Sequence, residues 1–104
     1  MKLLMVTAIR ECYKTVDAVF DRNGIKKYSL ANISGVGNNE MPDYAGNWFG
    51  SVSAKDEFFD SVMMFCFTDD DTARNVLTDL KAYNEAEQPA FPVRALLLPV
   101  EGSI

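Results

Sequence analysis

From Lys2 to Ile9 the chain is apolar on both alternations, with Leu3, Met5, Thr7 and Ile9 interleaved with Leu4, Val6 and Ala8. A short β-compatible run of this kind predicts a first strand. Residues 12–23 carry Val16, Val19 and Phe20 at helical spacing. They close on Asn23-Gly24, a helix terminator because glycine tolerates the left-handed position past the last turn. Residues 26–34 set Tyr28, Leu30 and Asn32 against Ser29, Ala31 and Ile33, the period of a second strand, and Gly35-Val36-Gly37-Asn38-Asn39 is expected to break it. A third strand is expected over 60–68, where Val62, Met64 and Cys66 alternate with Met63, Phe65 and Phe67. Asp69-Asp70-Asp71 then opens an amphipathic helix with Ala73, Val76, Leu77, Leu80 and Tyr83 on one stripe. Glu85–Phe91 reads as a linker and Pro92–Val100 as the last strand.

The order is β-α-β-β-α-β, which predicts an α+β ferredoxin-like sandwich: an antiparallel four-stranded sheet with two helices on one face. Two helices cover only one face, yet neither the first nor the third strand has a polar side to turn to water. Leaving six to eight such side chains exposed would forfeit roughly 1.5–3 kcal/mol each. An apolar patch of that extent is unusual on a monomer. Other copies of the chain are therefore expected to bury the second face. Between the middle strands, residues 38–58 form a connection rich in Gly, Asn, Ser and acids. A loop of that length in a compact domain is more often functional than idle.

At 104 residues the chain makes one domain, spanning 1–104. Its net charge of −5 and scattered Lys and Arg argue against a nucleic-acid partner, which needs a basic face. Cys12 and Cys66 lie far apart and form no Cys-x-x-Cys pair, the usage of a reducing, cytoplasmic compartment. No apolar stretch approaches the ~20 residues that cross a bilayer. The Met1–Val6 run reads as strand rather than signal peptide, because Arg10 ends it and no small-residue cleavage site follows.

Little in the sequence supports catalysis. There is no histidine, and no phosphate loop, nucleophile elbow or dinucleotide fingerprint is present. Asp69-Asp70-Asp71 is expected to cap its helix rather than hold a cation. Met63, Met64 and Cys66, with Met5, read as core filler rather than a soft-metal site, and Cys12, just past a strand end, as the more accessible thiol. No metal site is assigned. In the long loop, Trp48 and Phe49 stand between Gly46 and Gly50, an aromatic pair suited to anchoring a partner, with Tyr44 nearby.

Several of these features resemble the nitrogen-regulatory PII proteins. The first half, ending in Ser34-Gly35-Val36-Gly37, is similar to theirs, in which a Gly-x-Gly element opens a long signalling loop. Leu98-Pro99-Val100-Glu101 resembles the family's last core strand, and Asp69-Asp70-Asp71 its acidic lead into the second helix. The resemblance implies a non-enzymatic regulator: a homotrimer that binds a small-molecule effector in clefts between subunits. Ser29, Gly35, Val36, Gly37 and Asn38 would line that cleft. The signalling loop, with Tyr44, Trp48 and Phe49, would meet a partner such as a membrane transporter or its regulator. An adenine nucleotide is a candidate effector. The family's glycine- and lysine-containing phosphate loop is absent, however: residues 84–92 read Asn-Glu-Ala-Glu-Gln-Pro-Ala-Phe-Pro. Two alternatives share the element order, a CutA-type protein of divalent-metal tolerance and a small dimeric ferredoxin-like enzyme.

Overall fold

The computed structural model describes residues 1–37 and 57–104. Along the chain come β1 (Lys2–Ile9), a 3-10 turn (Arg10–Cys12), α1 (Tyr13–Arg22) and β2 (Ser29–Gly37). They are followed by β3 (Glu57–Thr68), α2 (Asp70–Glu87) and β4 (Arg94–Pro99). The strands form one antiparallel sheet in the order β2-β3-β1-β4, with β1 and β3 in the middle. This is the expected ferredoxin-like βαββαβ arrangement.

Register decides which side chains meet. Leu4 lies opposite Cys66, Val6 opposite Met64 and Ala8 opposite Val62. These six are buried in one cluster with Val16, Val19 and Phe20 of α1 and Val76 and Leu80 of α2. Phe20 is fully buried and meets the Tyr28 ring edge-on, centroids 5.1 Å apart.

The helix ends follow local chemistry. α1 stops at Asn23, and Gly24 takes φ +82°, a backbone angle that glycine adopts without strain. The Ile25 N–H then bonds the Phe20 carbonyl and the Gly24 N–H the Asp21 carbonyl, which makes a Schellman motif. α2 starts where the Asp69 carboxylate accepts the Thr72 N–H at 3.0 Å, the capping role expected of the acidic run.

Four expectations are corrected. Gly35-Val36-Gly37 does not break β2: the strand runs through Gly37, because Gly35, Val36 and Gly37 pair with Phe59, Phe58 and Glu57. β3 accordingly begins at Glu57, and the connection shortens to 38–56. α2 continues through the expected linker to Glu87, since the Asn84 side chain bonds both the N–H (3.0 Å) and the carbonyl (2.8 Å) of Val93 and holds the helix end against the next strand. Cys12 is buried rather than accessible, turned inward by the 3-10 turn to lie 3.8 Å from the Tyr83 hydroxyl. Asn38, Tyr44, Trp48 and Phe49 lie outside the described residues.

The second face of the sheet is the one the helices leave uncovered. On it lie Leu3, Met5, Thr7 and Ile9 of β1, Met63, Phe65 and Phe67 of β3, and Leu96 and Leu98 of β4. Phe67 is 58% exposed and Leu96 and Leu98 41% each. No described helix is long and apolar enough to cross a membrane. Replacing Phe20→Ala should lower unfolding stability by about 3–5 kcal/mol, the usual cost of emptying a buried aromatic site. Urea denaturation checks this, and a loss below about 1 kcal/mol would mean that Phe20 does not hold α1 to the sheet.

Candidate functional site

The open face is mostly apolar; its polar positions are Ser29 of β2, Ser61 of β3 and the point where β1 meets β4. There Thr7 stands opposite Arg94. Thr7 is only 4% exposed, and its Oγ1 is buried with no hydrogen-bond partner among the described residues. The Arg94 Nε is buried and unpartnered in the same way. An unmade hydrogen bond at a buried polar atom costs about 1–3 kcal/mol, so two on neighbouring strands require an explanation. Arginine only donates, and a threonine hydroxyl can donate as well. Together they suit an acceptor-rich group such as a carboxylate or phosphate oxygen.

On the other flank of the sheet, Lys27, Tyr28, Ser29, Phe65, Cys66 and Phe67 line an open cleft of about 300 Å³. The exposed Phe67 ring gives it an aromatic wall. Lys27 brings a positive charge that has no carboxylate partner among the described residues. The Tyr28 phenol is pushed well above its ordinary pKa, first by burial and then by donating to the Asp17 carboxylate, so it stays protonated. Burial also raises the Cys66 thiol. The cleft therefore offers neutral polar groups, one cation and a flat apolar surface.

The residues expected to line one cleft do not gather within a single chain. Ser29 opens β2 and Gly35–Gly37 close it, so they stand about 20 Å apart at ~3.3 Å per residue. Gly35 is buried and Val36 is 43% exposed. Ser29 and Arg94 lie on opposite edge strands, about 14 Å apart across three strand spacings. One chain cannot close both ends around one small molecule.

A third cluster sits at the root of the 38–56 connection, on the helix-bearing side. The Arg10 Nε donates to Asp60 Oδ2 at 2.8 Å, and its Nη2 donates to Asp60 Oδ1 at 3.0 Å and to Asn32 Oδ1 at 2.8 Å. The Arg10 guanidinium holds the Asp60 carboxyl below the usual carboxylate range, and Asp60 in turn raises Arg10. One side chain thus ties the end of β1 to both strands that lead into the connection.

Sequence reading missed Thr7 and Arg94 as a pair, because only the register brings them together. The one signal was Thr7 itself, the single hydroxyl in an otherwise apolar β1. It also missed the Arg10–Asp60 junction, whose members stand 50 positions apart.

No protein-family profile matches the chain, and no curated protein matches it in sequence. Solved structures do match. CPII, a nitrogen regulatory PII-like protein from Thiomonas intermedia K12, bound to ADP, AMP and bicarbonate, superposes with a TM-score of 0.62 at 16% identity, covering 99% of this chain and 94% of that one. CPII bound to ADP, AMP and acetate gives 0.63 at 14%, covering 93% and 82%. A protein from Thermus thermophilus described as PII-like signaling gives 0.60 at 19%, covering 92% and 82%.

The fold is PII-like. In this PII-like fold the Thr7–Arg94 pair lies on the open sheet face, and the cleft at Ser29 and Phe67 opens at the β2 edge.

The Arg10–Asp60 junction carries a pH signature. Because the folded-state pKa of Asp60 is lowered, its contribution to stability is complete above the ordinary carboxylate range and is lost as pH falls through it. Asp60→Asn should therefore lower the melting temperature at neutral pH and flatten its decline between about pH 5 and about pH 3. Thermal unfolding of both proteins across that window checks this. Equal slopes would mean that the junction adds nothing.

Proposed function

We infer that this chain is a PII-like signalling protein without catalytic activity. It works in the cytoplasm as a homotrimer whose inter-subunit clefts bind a small anionic effector. The observation that carries this reading is the Thr7–Arg94 pair: two buried, unpartnered polar groups set into an apolar face that needs covering. Closing other copies over that face would bury its aliphatic and aromatic side chains. It would also bury the Arg94 charge, and an uncompensated buried charge is costly. An anion held at Arg94 and Thr7 removes that cost, so effector and assembly support one another.

The effector class follows from the chemistry. ADP, AMP, bicarbonate and acetate, the molecules held by CPII, all present oxyanion groups. An adenine nucleotide would place phosphate oxygens at Arg94 and Thr7 of one copy and stack its base near Ser29 and Phe67 of the next. Arg94 supplies the positive charge that residues 84–92 lack. Effector state would be passed to a partner, a membrane transporter or its regulator, through the 38–56 segment with Tyr44, Trp48 and Phe49. Regulation of this kind needs only that the effector favour one of two states of the assembly.

Three measurements test the reading. Sedimentation at micromolar concentration should give a particle three times the 11.6 kDa chain mass. ADP at about a hundred times its Kd should raise the melting temperature by on the order of 10 °C. Arg94→Gln should weaken ADP binding at least roughly tenfold, the worth of a charge-assisted hydrogen bond. A well-behaved single-chain particle whose melting temperature is unmoved by ADP, AMP, bicarbonate and acetate would overturn it.

A further inference from the structure

The helix-bearing side of the sheet holds a separate cavity of about 490 Å³, lined by Arg10, Glu11, Tyr13, Lys14, Leu30 and Val62. Its volume falls within the range of small-molecule sites. Three features of its lining converge on one ligand chemistry.

The floor is apolar and uncovered. Leu30 lies on the side that the helices cover, opposite Met64 in the register, yet it remains 43% exposed. Neither α1 nor α2 reaches over it, while Val62 beside it is 1% exposed. The Tyr13 ring forms a wall and is held in place by its hydroxyl, 2.9 Å from that of Tyr28.

The rim holds a guanidinium locked in orientation with donors to spare. Arg10 has five N–H groups. Nε and Nη2 spend three of them on Asp60 and Asn32, and among the described residues neither N–H group of Nη1 has a partner. The entropy of ordering that side chain is therefore already met before any ligand arrives. Lys14, four positions further on, has no carboxylate partner among the described residues. Among the described residues three carboxylates stand near these cations: Asp60, already engaged by Arg10, the exposed Glu11, and Asp17, which accepts from the Tyr28 hydroxyl beside Tyr13.

The geometry points to a second ligand site here, distinct from the open face, that takes a small apolar carboxylate. Its carboxylate would lie between Arg10 Nη1 and Lys14, and its hydrocarbon or aromatic body would lie over Leu30, Val62 and Tyr13. Because Arg10 also ties β2 and β3 at the root of the 38–56 connection, occupancy bears on the strands that lead into that segment. The site uses neither Thr7 nor Arg94 and stands or falls independently of the trimer and its effector.

The test is an amide-shift titration of the isotope-labelled full chain with benzoate and, separately, with its neutral counterpart benzamide, at constant ionic strength. Benzoate should move the Tyr13, Leu30 and Val62 amides saturably, and benzamide should bind about tenfold more weakly. Lys14→Gln should weaken benzoate by roughly threefold, the modest worth of an exposed ion pair. Leu30→Gln should weaken benzoate and benzamide together, and Arg94→Gln should change neither. Each variant's own amide spectrum shows whether it is folded. Any of four results overturns the proposal: no saturable shift, shifts centred on the open face, benzamide binding as tightly as benzoate, or folded Lys14→Gln binding benzoate unchanged.

Discussion

Two helices can roof only one side of a four-stranded sheet, and in this chain both sides are apolar. Most of what distinguishes the protein follows from that mismatch. On the roofed side, Leu4, Val6, Val62 and Met64 close against Val16, Phe20, Val76 and Leu80 in one continuous core. On the other side the same two central strands present methionine, leucine and phenylalanine to whatever lies outside. A sheet of this composition has one satisfied surface and one that the helices leave partly exposed. In the assembly proposed above, the guanidinium on that second surface is the place where a covering partner must be chemically specific, because apolar contact alone cannot accommodate it.

Much of the architecture was legible because periodicity and local stop signals agree. The β1 run, the Val16–Phe20 stripe, Asn23-Gly24 and the Asp69 cap each mark the same boundaries in sequence and in structure. Divergence begins where partners distant in sequence override local preference. Gly35 and Gly37 have poor strand propensity, yet β2 runs through both because β3 pairs with them residue by residue. Glu85-Ala86-Glu87 looks like a linker by charge, yet it completes α2, since Asn84 fixes the last turn to Val93. Cys12 follows a strand and would ordinarily be exposed, but a 3-10 turn rolls it under α2.

The candidate site was less legible than the fold, for a reason of the same kind. Ser29 was named from a resemblance for a cleft between subunits; within one chain it borders an open cleft beside Phe65 and Phe67. Thr7 and Arg94 were not, since each looks ordinary until the β1–β4 register sets them side by side and burial removes their water. Arg10 was equally opaque: its meaning lies in reaching Asp60 and Asn32 at once, across two strands. Strand pairing, more than local composition, assembles the chemistry in this protein. Residues with unexceptional local signals therefore carry it.

The Asn84 amide offers a different lesson. By bonding both backbone groups of Val93, it imitates the pairing of a neighbouring strand and sets the start of β4 directly from the helix. The start of β4 is thereby tied to the helix end at two backbone atoms, while Gln88 caps that helix in the left-handed conformation. Arg94, the residue after Val93, is held at its station beside Thr7 by the same amide.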